Sequence, residues 1–339
     1  MAVEAFVRLD TAFAVLDAMT SLTPTKPWIT VVVPLYNKAR TVRASLDSIA
    51  RQSFNNFEAL IVDDGSTDAS GYIASRFRDD RFRLFTQKNA GPGAARNRAI
   101  AEARGKWLAF LDADDEWMPD YLERASRHLQ AEPELGALSF AWFDQPAGSS
   151  SAPVFERRGL RNGVQSVSPS MSAARLSDMV IFMCPPSTMA RTDAARKLGG
   201  FYEHGSCYGE DGHLWIKMLL NEPVRFVLEP AVHVHRDASE LSGNRRSVRP
   251  VEPFLQDPED VRKVCPAELR GLLERFLCVR AFKTSCTLSY WGHWREGAAL
   301  RRRFSHPRGW REPLSLVSRL ATTPVGSWAG RLDRWRKRG

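Results

Sequence analysis

Phe110-Leu111-Asp112-Ala113-Asp114-Asp115 places three carboxylates within four residues at the end of a short apolar stretch, Lys106 to Leu111. Like charges crowded at the end of a buried strand are costly unless a cation shares them. A hard divalent ion meets that need, and Mg²⁺ or Mn²⁺ bound by one or two carboxylates usually also grips a substrate phosphate. Asp112 and Asp114 lie two apart and fall on one side of an extended chain. Asp115, just before Glu116-Trp117 and Pro119, is expected to cap a helix. The chemistry implied is work on a phosphorylated, nucleotide-linked substrate.

Two further strand ends carry polar groups. Ile29–Val33 is β-branched and apolar on both faces, as a buried parallel strand should be, and it runs into Pro34–Asn37. Ala59–Val62 runs into Asp63-Asp64-Gly65-Ser66-Thr67-Asp68, where Gly65 permits a tight turn and Thr67 or Asp68 can cap the next helix. Val42, Leu46 and Ile49 mark a helix over 38–51. Strands are expected at Arg81–Thr86, Lys106–Leu111, Ala137–Phe143 and Phe226–His235, and helices at Ala94–Ala103, Met118–Gln130 and Gly209–Leu220. Such alternation predicts an α/β fold, a parallel sheet covered by helices on both faces, with ligands beyond the C-terminal ends of its strands. Arg96, in the first turn of a helix after Gly91-Pro92-Gly93, makes a ready diphosphate site. Residues 144–170, rich in Gly, Ser and Pro, read as a flexible loop, and Pro250–Pro253 as a linker.

At 339 residues, with 43% hydrophobic and 26% charged content, the chain suits a soluble globular protein of one or two domains. No apolar run approaches a membrane span. Glu4, Arg8, Asp10 and Asp17 interrupt the N-terminal apolar positions, so no secretory signal is read there. Cys184, Cys207, Cys265, Cys278 and Cys286 contain no CxxC pair, which argues against a disulfide or zinc scaffold and for the cytoplasm. Charge is uneven: residues 241–339 hold 21 Lys and Arg against 9 Asp and Glu, within a chain of net charge +9. That tail interleaves arginines with Trp291, Trp294, Trp310, Trp328 and Trp335, a pattern suited to an anionic membrane surface or to a helical appendage with a solvated arginine face. No recognition motif supports nucleic acid, and the excess charge sits apart from the acidic clusters. A glycine-rich activating loop of the nucleotidyltransferase kind is missing at the first strand.

These segments resemble the family 2 glycosyltransferases of the GT-A fold over roughly residues 28–240. The match lies in Val31-Val32-Val33-Pro34-Leu35-Tyr36-Asn37-Lys38, in Leu60–Asp68, in Asn89 to Ile100, in Asp112–Asp115 and in Gly209-Glu210-Asp211, in that order. The resemblance implies a Rossmann-like, mostly parallel sheet at 28–245, an N-terminal extension at 1–27 and a basic helical region at 246–339. It implies an inverting enzyme that moves a sugar from a nucleoside diphosphate sugar to a glycan or lipid-linked acceptor, in surface polysaccharide assembly at the inner face of the membrane. Pro34, Tyr36 and Asn37 would border the nucleotide, with the Tyr36 ring as a stacking face. Asp63 and Asp64 would meet the base or ribose, Arg96 the diphosphate, Asp112 the ribose or metal. Asp114 would hold Mg²⁺ or Mn²⁺, with His235 of His233-Val234-His235-Arg236-Asp237 as a further metal or phosphate ligand; that run, with Ser239 and Leu241-Ser242, resembles the family's closing element. Asp211 would be the general base and Glu210 an acceptor-side group. A catalytically inactive sugar-nucleotide-binding relative is the alternative, against which both Asp114 and Asp211 argue.

Overall fold

The computed structural model describes residues 26–205, 208–237, 248–304, 313–324 and 326–328. The readings made for the N-terminal extension up to residue 25, Cys207, Ser239, Leu241-Ser242, Trp310 and Trp335 lie outside the described residues.

β1 (Ile29–Leu35) is buried along nearly all its length. α1 (Val42–Ala50) follows, with Val42, Leu46 and Ile49 buried, and then β2 (Phe57–Asp63), buried throughout. Cover on both faces explains these unbroken apolar runs. α2 (Ser70–Ser75), β3 (Phe82–Thr86), α3 (Pro92–Glu102) and β4 (Trp107–Phe110) complete the first half. There β1 pairs in parallel with both β2 and β4, and β2 with β3. The second half adds β5 (Glu116–Trp117), α4 (Tyr121–Ala131), β6 (Ala137–Gln145), β7 (Ser149–Ser150), α5 (Ala152–Arg157) and β8 (Gly163–Gln165). α6 (Ala173–Phe182), β9 (Thr188–Arg191), α7 (Thr192–Lys197), α8 (Glu210–Asn221) and β10 (Val224–His235) follow. The sheet runs β3-β2-β1-β4-β9-β6-β10-β5. β9 is antiparallel to both β4 and β6, whereas β10 is parallel to β6. The outcome is a mostly parallel α/β sheet with a mixed second half.

Two sequence expectations are corrected here. The stretch 144–170 is not a loop throughout, because β6 turns back as β7 and α5 follows at once. Ser151 fixes that return, its hydroxyl accepting from the Trp142 amide at 3.0 Å. Nor is Pro250–Pro253 simply a linker. Glu252 is buried, and Pro253 opens α9 (Pro253–Gln256), a residue whose missing N–H suits a first helical turn. α10 (Pro258–Val264), α11 (Arg270–Tyr290), α12 (Trp294–Arg303) and α13 (Pro313–Ala321) complete the described C-terminal helices. α11 buries Leu272, Leu273, Phe276 and Leu277. α12 crosses it so closely that a Cβ on Gly297 would sit 2.7 Å from the Ser285 carbonyl oxygen.

Candidate active site

Beyond the C-terminal ends of β1 and β4 lies a cavity of about 630 Å³. The Asp112–Asp115 turn at its floor is fixed from four sides. Thr41, at the start of α1, donates to the Ala113 carbonyl at 2.8 Å. Asp112 accepts from Arg96 Nη2 at 2.6 Å, and Asp114 pairs with Lys38 Nζ at 2.8 Å. Asp115 is not a helix cap. Its carboxylate is buried and accepts from the His235 amide at 2.8 Å, which ties the turn to the end of β10. Burial, then the neighbouring Asp112, pushes the Asp114 carboxyl upward; burial, then Asp114 and Asp112, pushes Asp115 up further.

Glu210 and Asp211 open α8 on the opposite wall. Gly209 precedes them at φ 72, a left-handed conformation that glycine adopts without strain. Arg96 spans the two walls, since its Nη1 donates to Glu210 at 2.7 Å while Nη2 holds Asp112. The guanidinium lies 5.1 Å over the Phe201 ring, which packs edge-on against Phe110 and Trp215. Sequence reading gave Arg96 to the diphosphate; in the fold both terminal nitrogens are engaged by carboxylates. Asp211 borders the same cavity. Burial, then Glu210, pushes its carboxyl up to about 7, against the opposing pull of Arg96. A carboxylate so poised can hold or release a proton near neutrality. α8 is secured farther along, where buried Lys217 and His213 both engage Asp260 of α10.

Pro34, Tyr36, Asp64, Arg96, Asp112, Asp114, Glu210, Asp211 and His235 all border this one cavity. Tyr36 is 44% exposed and leaves its ring open for stacking. Asp64 accepts from Gln87 Nε2 and the Ala90 amide through Oδ1 and from the Gly91 amide through Oδ2, so it shapes the loop that enters α3. Asn37 and Asp63 do not line the cavity. Asp63, the last residue of β2, accepts from the Ser66 amide and crowds Gly71. Asn37, at φ 51, accepts from the Thr67 amide at 2.8 Å and builds the turn rather than the wall. Asp68, not Thr67, serves α2, accepting from the Ser70 amide at 2.9 Å. His235 Nε2 faces Glu116 at 3.3 Å, while His233 stacks on Phe143 and lies outside the lining.

Sequence reasoning missed several wall residues. Lys38 directly follows Tyr36-Asn37 and was passed over as a helix start. Trp142 comes from β6 and Ile181 from α6, and Glu252, Phe254 and Arg280 from the supposed appendage. Arg280 Nη2 donates to Glu252 at 2.5 Å, and Thr284 donates to the other Glu252 oxygen at 2.7 Å. Nothing local in the sequence links Glu252, Phe254 and Arg280 to a cavity whose acidic floor, Asp112 to Asp115, lies more than a hundred positions earlier.

Residues 30–198 match the model of Glycosyl transferase family 2. The chain belongs to that family. Among curated relatives, the chain is 38% identical over 96 residues to the Escherichia coli UDP-Glc:alpha-D-GlcNAc-diphosphoundecaprenol beta-1,3-glucosyltransferase WfgD, covering 28% of this chain and 38% of that one. The chain spans less than half the length of the curated relatives it matches, from 15% to 42%. Among solved structures, TarS of S. aureus in complex with UDP aligns at a TM-score of 0.60 with 18% identity, covering 92% of each chain. Mannosyltransferase PcManGT from Pyrobaculum calidifontis, in complex with GDP-Man and Mn²⁺, aligns at 0.55 with 20% identity, covering 90% of this chain and 84% of that one. At such identities the likeness is one of fold, and the fold is GT-A.

Proposed function

We propose that this family 2 protein is an inverting, metal-dependent glycosyltransferase that moves a sugar from a nucleoside diphosphate sugar to an acceptor hydroxyl. The observation that carries the reading is Asp211, a carboxylate poised near pH 7 in the cavity that also holds the Asp112–Asp115 turn. Tyr36 offers a face to the base, and the N-terminus of α3 opens onto the cavity at Gly91-Pro92, its positive end suited to the diphosphate. Asp211 takes the proton from the acceptor hydroxyl as that oxygen attacks the anomeric carbon and the bond to the diphosphate breaks. One displacement on one face inverts the configuration. The complexes of TarS with UDP and of PcManGT with GDP-Man support a nucleotide-sugar donor. WfgD, whose name gives a lipid-diphosphate-linked acceptor, supports a role in surface glycan assembly.

The donor set fits a divalent cation. Among the described residues no three His, Cys, Asp or Glu groups are arranged to hold an ion unaided. The cavity lining nevertheless carries seven carboxylates against four Lys and Arg side chains. That surplus suits an ion whose remaining ligands are diphosphate oxygens and water. Asp114 would hold it, with Asp112 and His235 beside it. When bound, Mg²⁺ or Mn²⁺ would offset the charge of the leaving diphosphate.

A thermal-shift and product-release screen of UDP, GDP, dTDP and CDP sugars, with and without Mn²⁺, tests the reading. One sugar nucleotide should stabilise the protein in an ion-dependent way, and none doing so would refute it. Asp114→Ala is expected to remove the Mn²⁺-dependent part of nucleoside diphosphate binding, roughly tenfold or more in Kd. Unchanged Mn²⁺ dependence by calorimetry would strike Asp114 from the ligand set.

The C-terminal helices support attachment to an anionic membrane surface. Among the described residues no helix is long and apolar enough to cross a membrane. Val317, Leu320 and Trp328 are 53%, 64% and 58% exposed, and the charges of Arg301, Arg302 and Arg319 lie near one another. Apolar groups flanked by arginines suit a headgroup layer. Replacing Val317, Leu320 and Trp328 together by Ser should release the protein from anionic vesicles in co-sedimentation. Equal partitioning of this variant and the parent would dismiss the membrane role.

A further inference from the structure

Glu210 and Asp211 are bracketed by two glycines that both face the Glu252–Phe254 segment. A Cβ on Gly209 would lie 3.4 Å from Pro253 Cδ and 3.6 Å from Glu252 Cγ. One on Gly212 would meet the Phe254 ring edge at 3.4 Å and Val180 Cγ1 of α6 at 3.6 Å. The corner that opens α8 thus lies within a methyl group's width of two supports, the segment 252–254 and α6.

α11 ties those two supports together. Phe276, Arg280 and Thr284 recur every fourth residue and so share one face of that helix. The Phe276 ring packs on Phe254, with 5.3 Å between centroids. Thr284 donates to one oxygen of buried Glu252 at 2.7 Å, and Arg280 Nη2 donates to the other at 2.5 Å. Arg280 Nη1 donates to Ser177 of α6 at 3.3 Å, and the guanidinium lies 5.8 Å over the Phe254 ring. One side chain therefore joins both supports of the Glu210-Asp211 corner.

We propose that Arg280 is a positioning residue for the base: from α11 it holds Glu252–Phe254 against α6, and these two supports keep Asp211 aimed at the acceptor oxygen. This rests on the reading of Asp211 as the base. Displacing a reacting group by about 1 Å can cost on the order of 10²-fold in rate. A side chain that acts only through its neighbours can therefore set turnover. Donor affinity should not follow, because Tyr36, Asp114 and the start of α3 stand on other elements.

The test uses the full chain with water as acceptor, so that no contact between Arg280 and a sugar acceptor enters. Release of diphosphate from UDP-glucose, UDP-GlcNAc and GDP-mannose would be followed, keeping the donor that the parent cleaves fastest. Arg280→Met should lower kcat about 10- to 10²-fold with the donor KM within about twofold. Arg280→Lys keeps a cation for Glu252 and should recover part of the rate. Because Arg280→Met strands the Glu252 charge, it is paired with the double variant Arg280→Met/Glu252→Gln, in which the same kcat loss is expected. Hydrogen exchange over residues 209–215 should quicken about tenfold in both. Leu288→Ala, at a buried position about two turns farther along α11, should lower the melting temperature and leave kcat within about twofold. Parental kcat or parental exchange in the double variant overturns the proposal. So does a donor KM that rises as kcat falls, or an equal rate loss in Leu288→Ala. Should the parent bind UDP or GDP and cleave no donor, exchange over 209–215 decides alone. A parent that binds neither refutes the donor-site reading, and full cleavage by Asp211→Asn refutes the base; either takes this inference with it. A parent that depends on Asp211 and is matched throughout by the double variant refutes the positioning role alone.

Discussion

Asp211→Asn is expected to lower turnover at pH 8 by about 10²- to 10⁴-fold while donor affinity stays within about twofold. The amide keeps the shape of the side chain at the start of α8 but cannot accept the acceptor's proton. The parent should show a rising pH limb with its midpoint near 7, since the carboxyl is pushed up to about 7 and only its deprotonated form can act as base. Below that midpoint the rate should fall about tenfold per pH unit, and the variant should lack the limb. The same substitution should stabilise the unliganded fold. A carboxyl raised from 3.8 to about 7 contributes stability that is present below pH 4 and is lost as pH climbs through 7. Asn carries no such loss, so the melting temperature of the variant should exceed that of the parent increasingly between pH 5 and 8. The gain is on the order of 1–3 kcal/mol. Turnover that survives would assign the base elsewhere, and a melting advantage independent of pH would contradict the electrostatic cause.

Arg96→Ala should cost both activity and fold. It removes the cation between Asp112 and Glu210, bonded at 2.6 and 2.7 Å. Two carboxylates would then face Asp211 across a cavity already rich in acid. Stranding buried charge in this way typically costs about 3–5 kcal/mol, or about 5–10 °C in melting temperature for a chain of this size. Because Arg96 holds the Asp211 carboxyl down, any residual activity should show its pH limb displaced above 7. Arg96→Lys cannot bridge both acids and should recover only part of the loss. Calorimetry that shows an unaltered melting temperature would mean that the pairing contributes nothing to stability.

The first half of the fold was legible because each motif there is local. A strand, a turn and a helix N-terminus fall within about ten residues, and the period of the apolar positions names each element. Assignments failed where a partner lies far along the chain. Arg96 after Gly-Pro-Gly was given to the diphosphate, and its ion pair with Glu210, 114 positions later, was not foreseen. Asp63 and Asp64 were both given to the nucleotide, although only Asp64 reaches the cavity and Asp63, the last residue of β2, accepts from the Ser66 amide instead. Asp115 looked like a cap because the amide it serves, that of His235, comes from β10. Residues 144–170 looked loose because their order is imposed by the edge of β6 rather than by their own composition. The helical C-terminal region was expected and is present, but its part in the cavity wall was not foreseen. Its arginines and tryptophans read as a surface device, while buried Phe254, Glu252 and Arg280 were already part of a wall.

That wall has a practical corollary. Arg280 lies on α11, Phe254 on α9 and Glu252 just before α9, all past the stretch 30–198 that matches the family. The wall of the one cavity is thus drawn partly from the stretch that matches the family and partly from the chain beyond it. Retargeting by grafting a foreign C-terminal region would spare Tyr36, Asp64 and Asp114, provided the incoming helices still met Gly209 and again offered the Lys217 ammonium its anion.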